Sequence, residues 1–182
     1  MEIILDWRGP FLPKSFLDEK DPQPTPGVYL WLADFHGKKW VEYVGKASGS
    51  PTLGRRQQEH VSNTIGLKYT IPAQVRDADE DWKPGIYPEN KNQLLIKSTR
   101  ESLVDEALRY LDSMTFFLAP MEAKDRKLLG IVERNLLWAL QPRSTVPGTK
   151  TPPPTPIDIK HRNASWASGS FENKFKMVPK VT

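Results

Sequence analysis

Two short alternating segments separated by a glycine-containing turn constrain the fold of this chain more than any other feature. Aliphatic side chains alternate with other residues over 28–33, and a similar alternation runs over 40–44 after a break at Gly37. A period of two is typical of half-buried strands. Because so short a connection joins antiparallel neighbours, the pattern predicts a β-hairpin.

The register of this hairpin decides which side chains can meet. If Asp34 lies opposite Trp40, odd-numbered residues pair with odd-numbered residues. Tyr29 and Tyr43 then become diagonal neighbours on one face of the sheet, roughly 7 Å apart. A slip of one residue would separate the two tyrosines.

A helix is predicted to follow the hairpin. Ser50 can cap its N-terminus, and Pro51 suits the first helical position. On this helix Arg56 and His60 lie one turn apart, next to an apolar face. The two hairpin tyrosines, Lys46, the arginine and the histidine can therefore converge.

Three further elements are predicted downstream. A capping box at Ser98 begins a helix that ends near Ser113, residues 115–119 form a third strand, and a last helix spans about 123–140. Glu133 lies among leucines on the last helix, where a carboxylate is costly unless something compensates it. This position makes Glu133 a candidate functional residue.

The ordered set of these motifs resembles the signature of the GIY-YIG nuclease superfamily. The set comprises Gly-Val-Tyr at 27–29, Tyr-Val-Gly at 43–45, Arg56 and His60 at helical spacing, and IVERNLLWALQPR at 131–143. The last run is similar to the glutamate helix of that family, particularly in the endonuclease subunit of bacterial nucleotide-excision repair. The resemblance extends from residue 25 to about 145, with a long interruption.

The resemblance implies an α/β fold with a small three-stranded, mainly antiparallel sheet flanked by helices. Residues 27–145 would form the nuclease domain, with an inserted loop and helix at about 64–113 where we expect substrate specificity. Residues 1–26 would form a Pro-rich arm. Residues 146–182 would form a Pro-rich connector and a basic tail that docks as a strand or grips a phosphate.

The resemblance also implies a divalent-metal-dependent endonuclease that cuts DNA, with RNA not excluded as a partner. The implied site residues are Tyr29, Tyr43, Lys46, Arg56, His60 and Glu133. Glu133 would hold one Mg²⁺ or Mn²⁺, because Mg²⁺ keeps several waters and takes other ligands from the substrate. Arg56 would stabilise charge in the transition state.

The proton transfers would fall to the tyrosines and the histidine. Tyr29 is the implied general base, although a pKa near 10 suits that role only if Lys46, Arg56 and the metal stabilise its phenolate. Tyr43 and His60 would position the attacking water or relay its proton, and His60 is an alternative base. Except for Lys46, the site residues are expected to line one cleft.

Structural interpretations of the same residues remain open. The tyrosines could be ordinary strand aromatics, and His60 could be a surface histidine at a helix C-terminus. Either Arg55 or Arg56 could be a solvated charge, although the four-residue step to His60 favours Arg56. Glu133 could form a structural ion pair with Arg126, Arg134 or a distant lysine. Thr145 stands where the family commonly has asparagine, and Asn163 or Asn173 of the tail could substitute for it.

The charge distribution and two motifs outside the site limit which functions the sequence supports. Residues 1–141 carry 19 Lys and Arg against 20 Asp and Glu, whereas residues 142–182 carry 7 against 2. A globally basic surface therefore does not support nucleic-acid binding, and a local cluster must. The acidic run at 77–81 is interpreted as solvated, and the Gly-Ile-Tyr at 85–87 as a loop.

Two rival functions are a binding protein built on a decayed nuclease fold and an interaction module that uses the Pro-rich segment 151–156. The chain has no cysteine, no signal peptide is expected, and no apolar run is long enough for a membrane span. These features predict a cytoplasmic protein without a membrane partner. A single site that cuts both strands would favour a homodimer or two successive nicks.

Overall fold

The computed structural model describes residues 1–18, 23–35, 38–69, 71–72, 84–86, 100–122, 126–142, 151–167 and 171–172. The strands are β1 (Glu2–Asp6), β2 (Arg8–Phe11), β3 (Gly27–Phe35), β4 (Lys38–Ala47), β5 (Ile71–Pro72), β6 (Pro84–Ile86), β7 (Met114–Pro120), β8 (Asp158–Arg162) and β9 (Phe171–Glu172). The helices are α1 (Ser15–Asp18), α2 (Leu53–Ile65), α3 (Arg100–Asp112) and α4 (Arg126–Leu140), with a 3-10 turn at Ser165–Ala167.

A five-stranded sheet in the order β2-β7-β3-β4-β9 forms the centre of the fold. Strands β2, β7, β3 and β4 pair antiparallel, and β9 pairs parallel with the turn end of β4. The α/β class is therefore confirmed. The prediction of three strands is wrong, because segments before and after the predicted domain add β2 and β9 to the predicted trio.

A β-bulge in β4 corrects the predicted hairpin register. Asp34 pairs with Lys39 rather than Trp40, so the assumed register is wrong near the turn. Between the Trp31–Tyr43 pair and the next pair toward the turn, β4 carries one extra residue. The extra residue restores odd-with-odd pairing around the tyrosines, which therefore share a face as predicted.

The sheet separates two hydrophobic cores. On one face α4 packs through the predicted stripe of Leu129, Val132, Leu136 and Leu140. On the other face α2 and α3 cover a core that includes Tyr29, Trp31, Phe116, Leu53 and Leu111. Because side chains alternate along a strand, neighbouring residues of β3 or β4 belong to different cores.

The two flanks of the predicted domain contact each other. Strand β1 pairs in parallel with β8, so the tail docks as a strand, which was one of its two predicted alternatives. Trp7 Nε1 donates a hydrogen bond to His161 Nδ1 at 3.0 Å, and the buried Trp166 ring packs edge-on against both rings. Asn163 lies at the end of this pair of strands and donates to Asp6.

Some local predictions are corrected. The N-cap of α2 is Thr52, whose hydroxyl accepts from the amide of Arg55, so the cap predicted at Ser50 is wrong. Residues Pro84–Ile86 form a strand paired with β5 where a loop is predicted at 85–87. The capping box at Ser98, the acidic run at 77–81, Thr145 and Asn173 lie outside the described residues.

In the described part of the chain, no helix combines the length and apolar character that crossing a membrane requires.

Candidate active site

Tyr29 is the centre of a buried network on the α2 face of the sheet. Its ring is 1% exposed and stacks on that of Tyr43, with 5.9 Å between the ring centroids. Its hydroxyl lies 2.7 Å from His60 Nε2 and also interacts with Arg56. The structure thus brings together four of the six predicted site residues.

Two hydrogen bonds between α2 and β3 fix the rotation of the helix about its axis and thereby orient its site residues toward the strand. Trp31 Nε1 donates to Gln57 Oε1 at 2.8 Å, one turn before the contact between Tyr29 and His60. Gln57 is fully buried on the predicted face of α2. Helical spacing then turns Arg56 toward the same side as His60.

Glycine is required at position 45 because Tyr29 lies over its backbone. A Cβ atom there would overlap the Tyr29 hydroxyl and would lie 2.8 Å from Tyr43 Cε1. Gly27 is equally constrained, since its Cβ would overlap the carbonyl oxygen of Ala119 and approach Leu53 Cδ1 to 2.8 Å. The glycines of both short motifs therefore allow the close packing that places Tyr29.

The structure distinguishes Arg56 from its neighbour Arg55. Arg56 is half-buried and lines the site, whereas Arg55 is exposed and donates to Gln58. The Arg56 guanidinium forms an ion pair with Glu59 at 2.8 Å. Burial acts to lower the Arg56 pKa, but the bonds to Glu59 and Tyr29 outweigh it and raise the pKa.

An aromatic cavity of about 270 Å³ opens beside this network. It is lined by Trp31, Glu42, Tyr43, Arg56, His60, Thr64, Tyr69 and Tyr110. Glu42, the acidic residue at the bulge, is buried and accepts a hydrogen bond from the Tyr110 hydroxyl at 3.0 Å. The cavity therefore has aromatic walls and buried polar groups.

Burial sets the protonation states in the network. Desolvation raises the pKa of Tyr29 well above its usual value, the nearby Tyr43 adds to this, and Arg56 opposes it without prevailing. Desolvation and the Arg56 charge lower the His60 pKa to about 3. At neutral pH Tyr29 is therefore a phenol and His60 a neutral imidazole. The predicted role of Tyr29 as general base requires a phenolate, so the protonation state of Tyr29 conflicts with that role.

Lys46 and Glu133 meet on the other face of the sheet. Lys46 projects toward α4, because it lies one residue beyond Gly45 on β4, and its ammonium forms an ion pair with the Glu133 carboxylate. Glu133 thus has the distant lysine that the sequence left open as a structural partner. Among the described residues, Lys46 is the one hydrogen-bond partner of this carboxylate.

The Lys46–Glu133 pair lies in a separate depression of about 390 Å³, which we call the Glu133 cleft. Its lining comprises Lys46, Lys127, Gly130, Ile131, Glu133, Arg134, Asn135, Leu137, Pro153, Pro154 and Thr155. Three cationic side chains face one carboxylate there. Five of the six site residues thus line two depressions rather than the single expected cleft, and the buried Tyr29 lines neither of them.

The edge of β4 connects these two depressions. On its inner edge β4 pairs with β3, and on its outer edge β9 pairs with Lys39 and Trp40. In the part of the chain that the structure describes, no strand covers this outer edge at residues 43–47. Desolvation raises the pKa of Tyr43, and the Glu133 charge contributes in the same direction. Glu133 is therefore electrostatically coupled to the tyrosine network around this edge.

The donor set of the Glu133 cleft determines which metal could bind. The described residues contain no cluster of three or more acidic, histidine or cysteine ligands, so they do not form a protein-enclosed metal site. The Glu133 side chain is 21% exposed, and Lys46 contacts its Oε2. Its Oε1 suits a hydrated Mg²⁺ or Mn²⁺, which takes its remaining ligands from water and substrate.

Sequence reasoning missed Glu42, Tyr69 and Tyr110, and it noted Asn135 two residues beyond Glu133 without predicting its structural contacts. Asn135 is buried and binds the segment at 155–157 to α4, while the other three line the aromatic cavity. Glu42 had a detectable signal, since an acidic residue interrupts the apolar pattern of β4. Asn163 lies with β1 and β8 and lines neither depression.

The chain was compared with protein-family models, curated proteins and solved structures, and none of the three comparisons finds a match.

Proposed function

We propose that this protein is a divalent-metal-dependent endonuclease of the GIY-YIG type that hydrolyses phosphodiester bonds in DNA. The observation that carries the proposal is the placement of six site residues around one strand edge. Tyr29, Tyr43, Arg56 and His60 form one network, and Lys46 and Glu133 face it across β4. A purely structural ion pair between Lys46 and Glu133 would not require the four residues of the network to converge as well.

The cationic residues would bind the substrate phosphate. Arg56 keeps its charge and presents a planar set of N–H donors that matches phosphoryl oxygens. Lys46 adds a second positive charge on the other side of the edge. The phenolic hydroxyl of the half-buried Tyr43 would donate a hydrogen bond rather than accept a proton, because its pKa is raised.

A divalent cation at Glu133, when bound, would neutralise charge on the phosphate and help the leaving oxygen. The role of Glu133 is to hold this cation at the edge of β4, close to the tyrosine network. Lys46 competes for the same carboxylate, so metal affinity is expected to be weak until a substrate phosphate attracts the ammonium.

Proton transfer is assigned to His60, with Tyr29 as its positioning residue. When His60 Nε2–H donates to the Tyr29 oxygen, Nδ1 presents a lone pair that can accept a proton from water. Nδ1 is buried without a hydrogen-bond partner among the described residues, and His60 lines the cavity. The negative charge of a bound phosphate would raise the low pKa of His60 and make it a better base.

A second candidate is a nucleic-acid-binding protein without cleavage activity. The observation that favours it is the state of the two key groups, since Tyr29 is a buried phenol and Glu133 is already ion-paired. The buried phenol of Tyr29 and the ion pair of Glu133 both stabilise the protein in the absence of a substrate. This candidate predicts salt-sensitive DNA binding with no strand scission.

Plasmid cleavage with Mg²⁺ or Mn²⁺, compared with EDTA, distinguishes the two candidates. We expect metal-dependent nicking by the wild type and none by Glu133→Gln, which keeps the side-chain size but removes the charge. Binding of the same plasmid without cutting, by wild type and variant alike, would replace the nuclease proposal with the second candidate.

A further inference from the structure

The aromatic cavity has the shape and lining of a site for one flat ring system. Trp31, Tyr43, Tyr69 and Tyr110 supply aromatic walls, and the ring of His60 lies 5.5 Å from that of Tyr69. Its volume of about 270 Å³ is just below the roughly 300–1,000 Å³ of pockets that hold drug-sized ligands. Aromatic side chains of this kind stack on nucleobases without regard to their sequence.

Polar groups in the same cavity match the edge of a base rather than that of a hydrocarbon. The buried carboxylate of Glu42 can accept from base N–H groups, and Arg56 can donate to base carbonyl or ring nitrogen atoms. His60 Nδ1 is buried and lacks a partner among the described residues. A purely apolar ligand would leave His60 Nδ1 desolvated and unsatisfied.

We propose that the aromatic cavity binds an unpaired nucleobase of the strand that is cut. The inference rests on the proposed nuclease function, because Tyr43 and Arg56 line the cavity and also belong to the phosphate site. A nucleotide whose phosphate lies against Arg56 therefore has its base next to this opening. The base enters by stacking against Tyr69 and hydrogen-bonding with Glu42.

This arrangement defines a class of substrate. A base inside a duplex must leave its stack and its partner before it can enter a side pocket, whereas a base in a single strand, an overhang or a mismatch is already available. Substrates with an unpaired nucleotide at the cleavage position are therefore preferred over fully paired duplexes.

The test uses short oligothymidine single strands that carry one 2-aminopurine, placed at each position in turn. The full chain is titrated in EDTA, so that binding is measured without cleavage. Fluorescence anisotropy of an end label reports overall binding, and quenching of 2-aminopurine reports stacking on protein rings. We expect quenching at one or two positions.

Matched variants locate the quenching. Tyr69→Ala is expected to abolish it and to weaken binding on the order of tenfold, whereas Tyr69→Phe keeps the ring and both signals. Thr64→Met fills the cavity without removing a ring, so it should also abolish quenching even if Tyr69→Ala folds poorly. Asn163→Ala should leave quenching intact, because Asn163 lines neither depression.

The outcomes separate this inference from the nuclease proposal. Anisotropy without quenching at any position, quenching that survives Thr64→Met, or no binding at all would overturn the base pocket. Quenching that depends on Tyr69 in a protein that never cleaves DNA would support the base pocket and refute the nuclease proposal alone.

Discussion

Replacing Asn135 with alanine is expected to detach the C-terminal segment from α4. Asn135 is buried, and its side chain makes two hydrogen bonds to that segment. Nδ2 donates to Thr155 O at 2.9 Å, and Oδ1 accepts from Ile157 N at 3.1 Å. A further bond from Nδ2 to Ile131 O lies within the helix. This single amide thus connects two elements twenty residues apart in sequence.

The magnitude follows from these contacts. A hydrogen bond contributes a net of about 0.5–1.5 kcal/mol, and a buried group left without a partner costs about 1–3 kcal/mol. Thr155 is exposed, so its carbonyl oxygen can be solvated once the amide is removed. Counting about 1 kcal/mol for each of the two tertiary bonds, Asn135→Ala should lower the free energy of unfolding by about 2 kcal/mol.

Urea denaturation measures this change, and limited proteolysis between residues 151 and 157 reports where it acts. Arg134→Ala, at the adjacent exposed position, is the control and should stay within about 0.5 kcal/mol of wild type. Asn135→Asp keeps the acceptor for Ile157 N but places an oxygen against Thr155 O. It should therefore be destabilising as well.

An unfolding free energy within about 0.5 kcal/mol of wild type for Asn135→Ala would refute this reasoning. So would an Asn135→Asp variant that matches wild type, since the donor to Thr155 would then be irrelevant. Because residues 153–155 form one wall of the Glu133 cleft, the same variant is expected to weaken any metal-dependent activity.

Three further predictions concern the site and the flanks. Gly45→Ala should destabilise the fold by about 1–3 kcal/mol in a denaturation assay, because the new Cβ overlaps the Tyr29 hydroxyl. Burial lowers the pKa of His161 to about 4, so as the pH falls this imidazole is protonated in the unfolded chain before it is protonated in the folded protein. Up to about 3 kcal/mol of stability is therefore present above pH 6.5 and is lost as the pH falls toward 4. His161→Asn, which can still accept from Trp7 Nε1, should reduce that slope and leave the part due to His60, whose pKa burial also lowers. An unchanged slope would contradict the assignment. Arg56→Ala should reduce plasmid nicking about a hundredfold, whereas its outward-facing neighbour Arg55→Ala should not, and equal losses would show that only overall charge matters.

The alternation of side chains predicted the central strands of the sheet, but it did not predict which distant segments pair with them. Strands β3, β4 and β7 carry clear alternation, so their existence and type followed from residues 27–47 and 115–119. Strands β2 and β9 are four and two residues long, and β2 contains a proline. Such segments become strands only because a neighbour offers them hydrogen bonds, which no local pattern reports.

The sequence predicted which residues belong to the site, but it did not predict that they lie on two sides of the sheet. The helical step between Arg56 and His60 placed both residues beside the tyrosines, and the structure agrees. The separation of Lys46 from Tyr43 was implicit in their odd and even positions on one strand, and it was overlooked. The contacts of Asn135 could not be predicted, because its partners are backbone atoms of a segment that has no regular pattern.

The pairing of β1 with β8 has a consequence for biosynthesis. Trp7 and His161, which hydrogen-bond in this region, are separated by 154 positions along the chain. At about 5–20 residues per second, a ribosome needs about 8–30 seconds between them. Throughout that interval the nascent chain carries Leu5 and Trp7 without the strand and the Trp166 ring that cover them. Strand β1 therefore leaves the ribosome well before the strand that completes its pairing, and chaperones can bind it throughout this interval.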